Sequence, residues 1–257
     1  MPLRLTALAP LSKCYNLEYL DLSADGYGVS LEQILGAVGH LENLNTLKLP
    51  TDVFFRKDGF PPVIWPDNLR YLQITDTIPE TARTWEAILQ TWPDSLTTLS
   101  IQGGLHLDSL ACLTDCKVKL DVVQRLEIGV SRDDASLPLT AISSTNFPAL
   151  RHLSIPAMVV FVGGAQTFSA PINVETLELT PRVEIGAPEQ WQLDDFESLL
   201  SDFPFLHRIE IAEKNVQLDD EDKQYISEQL RNRLKREASA RQRSRAGLVI
   251  LSGGICT

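Results

Sequence analysis

An α/β solenoid, with a curved parallel sheet on its concave side and helices and irregular returns on its convex side, is the architecture this sequence predicts. Three observations carry that expectation. First, a six-residue pattern recurs: apolar, two variable residues, apolar, one variable, apolar. It reads Leu17/Leu20/Leu22, Leu44/Leu47/Leu49, Leu69/Leu72/Ile74, Leu96/Leu99/Ile101, Val123/Leu126/Ile128, Leu150/Leu153/Ile155, Val174/Leu177/Leu179 and Leu206/Ile209/Ile211. Second, most of the middle apolar residues are about 24–27 positions apart, within the roughly 20–29 of a leucine-rich repeat. Third, several of the stretches between the patterns have helical periodicity, as convex-side returns require.

The elements follow in chain order. Residues 1–16 read as a partial repeat or cap, with Leu3 and Leu5 the stub of a shortened strand. Each pattern match from 17 to 218 is a short strand, its apolar positions turned into the solenoid and its variable ones outward. Residues 30–40 are expected to be helical, with Ser30 as cap and Leu31, Ile34, Leu35 and Val38 on one face. Residues 80–91, with Trp85, Ile88 and Leu89, and 193–202, with Phe196, Leu199 and Leu200, share that periodicity. The longest helix is expected over 219–241, with Tyr225, Ile226, Leu230 and Leu234 apolar, and a last strand over 247–251. Helix and strand, within 219–257, would close an array that otherwise ends in an open apolar face. The whole of 1–257 then forms a single domain, since each repeat buries its apolar face only against its neighbours.

Two returns, 51–66 and 156–171, are long and unlike helices. One carries Phe54, Phe55, Phe60 and Trp65; the other carries Val159, Val160, Phe161 and Val162. Long connections without regular structure are often functional: either these groups fold back and bury themselves on the solenoid, or they leave an apolar patch that marks a binding site, with Phe54, Phe55 and Trp65 the candidate partner contacts.

Charge and cysteines bound the function. The formal net charge is −11, which disfavours binding of nucleic acid or anionic membrane by the body of the protein. Residues 231–245 form a local exception of seven basic side chains against Glu237. Cations suit a helix C-terminus, as Asp219–Asp222 suit its start; the alternative is a basic segment of a nucleic-acid-associated factor. The four cysteines, Cys14, Cys112, Cys116 and Cys256, form no dense disulfide framework. With no membrane-length apolar run or signal-peptide core, this points to a reduced, intracellular setting, cytoplasmic or nuclear. Cys14, three residues before Leu17, is expected to be a small buried residue.

The segments Cys14-Tyr-Asn-Leu-Glu-Tyr-Leu-Asp-Leu22, Leu41-Glu-Asn-Leu-Asn-Thr-Leu-Lys-Leu49 and Phe147-Pro-Ala-Leu-Arg-His-Leu-Ser-Ile155 resemble the leucine-rich repeats of F-box-type proteins, particularly fungal ones. The resemblance covers nearly the whole chain and implies a substrate-recognition fold. It departs from the family in two ways. The common repeat has Asn three residues after its last strand position; here those positions are Asp25, Asp52, Thr77, Gly104, Ser131, Met158, Arg182 and Lys214. The F-box itself, a helical segment that docks on a cullin-ligase adaptor, is not recognisable, so the sequence reads as the repeat region alone.

No catalytic, cofactor or metal motif emerges. Gly26-Tyr-Gly28 is half a dinucleotide fingerprint after a repeat strand and reads as a turn. His106, Cys112 and Cys116 lack a fourth ligand and paired spacing, so zinc is not expected. Cys256, next to last, forms no prenylation signal. His152 and His207 are expected on the concave surface with Arg125, Arg151, Arg208, Glu127, Glu175, Glu178 and Glu210, where a partner-binding face outweighs acid–base chemistry. Tyr and Arg are hot-spot residue types. Tyr71, Arg125, Arg151, His152 and Arg208 therefore join the two loops as candidate contacts for a protein partner. Nucleic acid, membrane and small-molecule substrates are not expected, and the function expected is a non-enzymatic interaction module.

Overall fold

Leucines at a fixed place in each repeat stack on one another, and this stacking builds the sheet. The computed structural model describes residues 8–23, 30–50, 64–75, 92–102, 120–129, 142, 144, 147–156, 173–180, 192–212, 218–237 and 247–251. Nine strands are found among them: β1 (Tyr19–Asp21), β2 (Thr46–Pro50), β3 (Tyr71–Thr75), β4 (Thr98–Gln102), β5 (Arg125–Ile128), β6 (His152–Pro156), β7 (Thr176–Thr180), β8 (Arg208–Ala212) and β9 (Gly247–Leu251). They form one parallel sheet in chain order. Its register runs Leu20, Leu47, Leu72, Leu99, Leu126, Leu153, Leu177, Ile209, Leu248 from strand to strand. This is a leucine-rich-repeat solenoid sheet.

From Leu44 onward the first apolar residue of every triad is buried with the other two; Leu17 is only partly buried. The first residue of each triad lies just before the strand, and in every case but Val174 it closes a turn. In that turn its N–H donates to the carbonyl three residues back: Leu44 to Leu41, Leu69 to Pro66, Leu96 to Pro93, Leu150 to Phe147 and Leu206 to Phe203. The residue after it spends its carbonyl on the next repeat. Glu18, Asn45, Arg70, Thr97, Gln124, Arg151 and Glu175 each accept two consecutive N–H groups there. Entry turn and strand are thus held in register by backbone alone.

An asparagine ladder does exist, but not where the common repeat has it. Asn43 and Asn68 stand one residue before the first apolar position. Asn43 Nδ2 donates to the Tyr15 carbonyl at 2.9 Å and Asn68 Nδ2 to the Glu42 carbonyl at 2.8 Å. In the next repeat Ser95 takes that place, its hydroxyl donating to the Leu69 carbonyl at 2.7 Å.

Helix α1 (Leu31–Val38) buries Leu31, Ile34, Leu35 and Val38. Ser30 and Gln33 form a reciprocal capping box at its start. At its end, a Cβ on Gly39 would overlap the backbone carbonyls of Ile64 and Leu35, so glycine lets the chain re-entering the array pass close to α1. Helix α2 (Leu193–Asp202) buries Phe196, Leu199 and Leu200. Helix α3 (Asp220–Glu237) starts at Asp219, whose Oδ1 accepts the Asp222 N–H at 2.8 Å. It buries Ile226 and Leu230, while Tyr225 is 42% exposed and not part of the apolar stripe. The proposed return helix at 80–91, the stub at Leu3 and Leu5, Phe60, most of the 156–171 loop and the His106, Cys112, Cys116 trio all lie outside the described residues. Cys14 is exposed, not buried, because the entry turn before Leu17 belongs to the partly covered first repeat.

Candidate interaction surface on the sheet

Strand alternation places every second side chain on the sheet face away from the core. Down one lane of that face run Gln73, Ser100, Glu127, Ser154 and Glu178, in register on successive strands. Long and short side chains alternate, which decides how the charges meet. Ser100 and Ser154 are buried beneath their neighbours. Over Ser100, Tyr71 on β3 reaches β5, its hydroxyl lying 3.4 Å from Glu127 Oε2 and 3.1 Å from Gln73 Oε1, which share its one hydrogen. Over Ser154, Arg125 on β5 reaches β7, donating through Nη2 to Glu178 Oε2 at 3.0 Å while its Nε holds Glu127 Oε1 at 2.6 Å. His152, on the strand between, lies 3.2 Å from the same Glu178 oxygen. A carboxylate only accepts, so Nε2 of His152 carries the hydrogen.

Six side chains, Gln73, Tyr71, Glu127, Arg125, Glu178 and His152, therefore form one connected network from β3 to β7. The hydrogen bond from His152, aided by the charge of Arg125, holds the Glu178 carboxyl below its usual 4.5 against the opposing effect of burial. Burial raises the Tyr71 hydroxyl, with the Glu127 charge adding to it.

The other candidate residues stand apart from this network. Arg151 precedes β6 and pairs with Glu175 at 3.2 Å, its Nη1 donating to the Leu150 and Asn173 carbonyls. Arg208 keeps to its own strand, with Nε 2.7 Å from Glu210. In the first half Lys48 lies 3.8 Å from Asp21 and 5.6 Å from the Tyr19 ring centroid. A hydrogen bond from the Ser23 hydroxyl is the main influence lowering the Asp21 carboxyl.

Two expectations need correction. Trp65 is 5% exposed and packs in the core. It follows Ile64, whose backbone lies against Gly39, so the end of the 51–66 return folds onto the array and takes the indole with it. His207 is buried, unlike the face residues it was grouped with. Its end of the sheet is enclosed by β9 beyond β8 and by α3, where Arg233 donates to the Phe203 carbonyl at 2.7 Å. That bond also makes Arg233 a structural cation of the basic segment. Phe54 and Phe55 lie outside the described residues. The network's carboxylate acceptors, Glu127 and Glu178, were not singled out as contacts from sequence; the signal for them was the serine alternation in their lane.

Among the described residues there is no group of three or more side chains placed to hold a metal ion, and no helix long and apolar enough to cross a membrane.

No family model matches the chain. Over 93 residues it is 33% identical to F-box protein YDR306C of Saccharomyces cerevisiae, a match covering 36% of this chain and 18% of that protein. The chain thus spans under a fifth of that relative's length. The leucine-rich repeat-containing protein LegL7 of Legionella pneumophila superposes with a TM-score of 0.44 at 14% identity, over 91% of this chain and 95% of that one. The chain has a leucine-rich-repeat solenoid fold, and about a third of its sequence is similar to part of an F-box protein.

Proposed function

We propose that this protein is a non-enzymatic, intracellular interaction module, a substrate receptor or assembly scaffold of F-box/leucine-rich-repeat type. In this reading the sheet face from Tyr71 to Arg208 grips a protein partner. The carrying observation is the network through Arg125, whose guanidinium bridges Glu127 and Glu178 across the intervening strand. Such cross-ties fix Tyr71, Arg125 and His152 before any partner arrives, which reduces the side-chain entropy lost on binding. The arginines stay part-exposed but each is already matched by a carboxylate. That suits a partner surface carrying both signs of charge better than a polyphosphate backbone, which needs unneutralised cations. The His152–Glu178 pair closes on Arg125 rather than on a nucleophile, which supports a binding role over acid–base chemistry. The F-box relative supports the receptor form of this reading, and Phe54 and Phe55 are proposed as additional contacts beside the face.

The test is co-purification from native lysate with the unmodified chain and with Arg125→Ala/Arg151→Ala. Loss of a captured partner at unchanged melting temperature supports the reading. A partner retained in full removes this face from it.

A further inference from the structure

Strands β2 to β5 are each entered through a turn whose second residue is acidic. Glu42, Asp67, Asp94 and Asp121 each stand two residues before the first apolar position, and all four are exposed. None has an ion-pair partner among the described residues. Turn geometry asks for a polar residue here, not for a charge. Like charges on adjacent strands, spaced by roughly 5 Å, repel one another. Among the described residues no cation pairs with this row to offset that repulsion.

Beside the head of the row the sheet edge opens into a cleft of about 500 Å³. Glu18 and Glu42 line it, neither with an ion partner among the described residues, and Arg70 stands on its wall with them. Asn43 and Asn68 line it as well. One N–H of each amide goes to the Tyr15 or Glu42 carbonyl, which leaves the amide oxygen and a second N–H on each. The backbone carbonyls of Glu18 and Asn45 are already filled by two N–H groups each. The cleft thus offers a ligand two carboxylates and amide groups beside Arg70, with Tyr71 also on its wall. Tyr71 is also the first member of the sheet-face network, so cleft and face adjoin.

We propose that this cleft receives a lysine or arginine side chain of an extended basic segment of a protein partner, and that Asp67, Asp94 and Asp121 guide the rest of that segment along the turn edge. The proposal rests on the reading of the chain as a protein-binding module and adds the chemistry of what is bound. Charge and shape agree on the occupant. A cation on a long stem can reach between Glu18 and Glu42 and lie against the tyrosine ring. Arg70 can donate to the carbonyls of the segment that carries it.

The probe is an acetylated peptide of alternating lysine and serine, about nine residues or roughly 30 Å when extended, titrated against the full chain by fluorescence anisotropy at two salt concentrations. The unmodified chain is expected to bind it, more weakly at high salt. Glu18→Gln/Glu42→Gln should weaken binding about threefold to tenfold, the range of two exposed ion pairs. Asp94→Asn/Asp121→Asn should weaken it less. Glu221→Gln/Glu228→Gln on α3, with the same change in net charge, should leave it unchanged. An equal loss in the α3 variant would reveal general attraction to an acidic protein and overturn the proposal. So would full binding by the cleft variant, equal binding of a glutamate–serine peptide, or a dimer of the chain that the cleft substitutions dissolve. The peptide is read on the isolated chain. Failure here therefore leaves the Arg125 face standing, and a partner unaffected by Arg125→Ala/Arg151→Ala leaves the cleft standing.

Discussion

The Arg125 guanidinium passes over strand β6 to meet Glu178, 3.0 Å away and two strands distant. Strands two apart are separated by roughly 9.5 Å, so the contact needs a long donor, a long acceptor and a short residue between. Ser154 supplies the short residue, as Ser100 does for Tyr71 and Glu127. The serines are buried for the same reason.

Replacing one of these serines with a large residue should therefore disconnect the face while leaving the core intact. Ser154→Gln is expected to separate Arg125 from Glu178 and weaken partner capture, with circular dichroism little changed. Capture at the original level would mean that the cross-strand tie has no part in binding.

The Glu178 pair gives a pH dependence of known sign. Its carboxyl is depressed in the folded protein, chiefly by the hydrogen bond with His152. The stability this contributes is fully present above the unfolded carboxylate value and is lost as pH falls through the lower folded value. Glu178→Gln removes that dependence. The unmodified protein should thus be the more stable at neutral pH, with the gap narrowing as acid is added below the usual glutamate range. Urea unfolding of both proteins across that range is the measurement. A gap that widens in acid contradicts the assigned direction.

Leu99 is fully buried in β4, paired with Leu72 and Leu126. Leu99→Ala should cost roughly 2–5 kcal/mol through the cavity it leaves. Chemical denaturation should show one transition in both proteins if the array unfolds as a single unit. A second, independent transition in the unmodified chain would count against a single domain.

Gly39 passes close to the Ile64 and Leu35 carbonyls. Because both obstacles are backbone, Gly39→Ala should destabilise by about 1–3 kcal/mol, as overpacking does. Removing the cap of the same helix with Ser30→Ala should cost about 1 kcal/mol. Thermal melts of the two variants test both figures, and an unchanged Gly39→Ala melt would mean that Ile64 yields.

The sheet was readable in the sequence because its register is set by a side-chain period, and every middle apolar residue from Leu20 to Ile209 pairs with its counterpart. Helix α1 was readable down to its cap and its four buried residues, since capping and periodicity are local. What escaped depends on distant segments. Trp65 belongs to a return, and only the approach of Ile64 to Gly39 shows that the indole goes inward. His207 occupies a repeat position that is open in other repeats, and β9 with α3 closes it only at this end. The common repeat carries its asparagine ladder after the strand, whereas Asn43 and Asn68 build it before the strand. Arg125, Tyr71 and His152 were legible as candidate contacts, but their common acceptors required knowing which strands the serines occupy.

The most direct measurement of the central claim is site-specific photocrosslinking in native lysate. One protein would carry a photoreactive residue at His152, in the middle of the face, and another at Lys235, exposed on α3. A protein-binding sheet face predicts a discrete adduct from position 152, absent from position 235 and lost when Arg125→Ala is added. Adducts from position 235 alone, or an adduct from 152 that Arg125→Ala leaves unchanged, would contradict it.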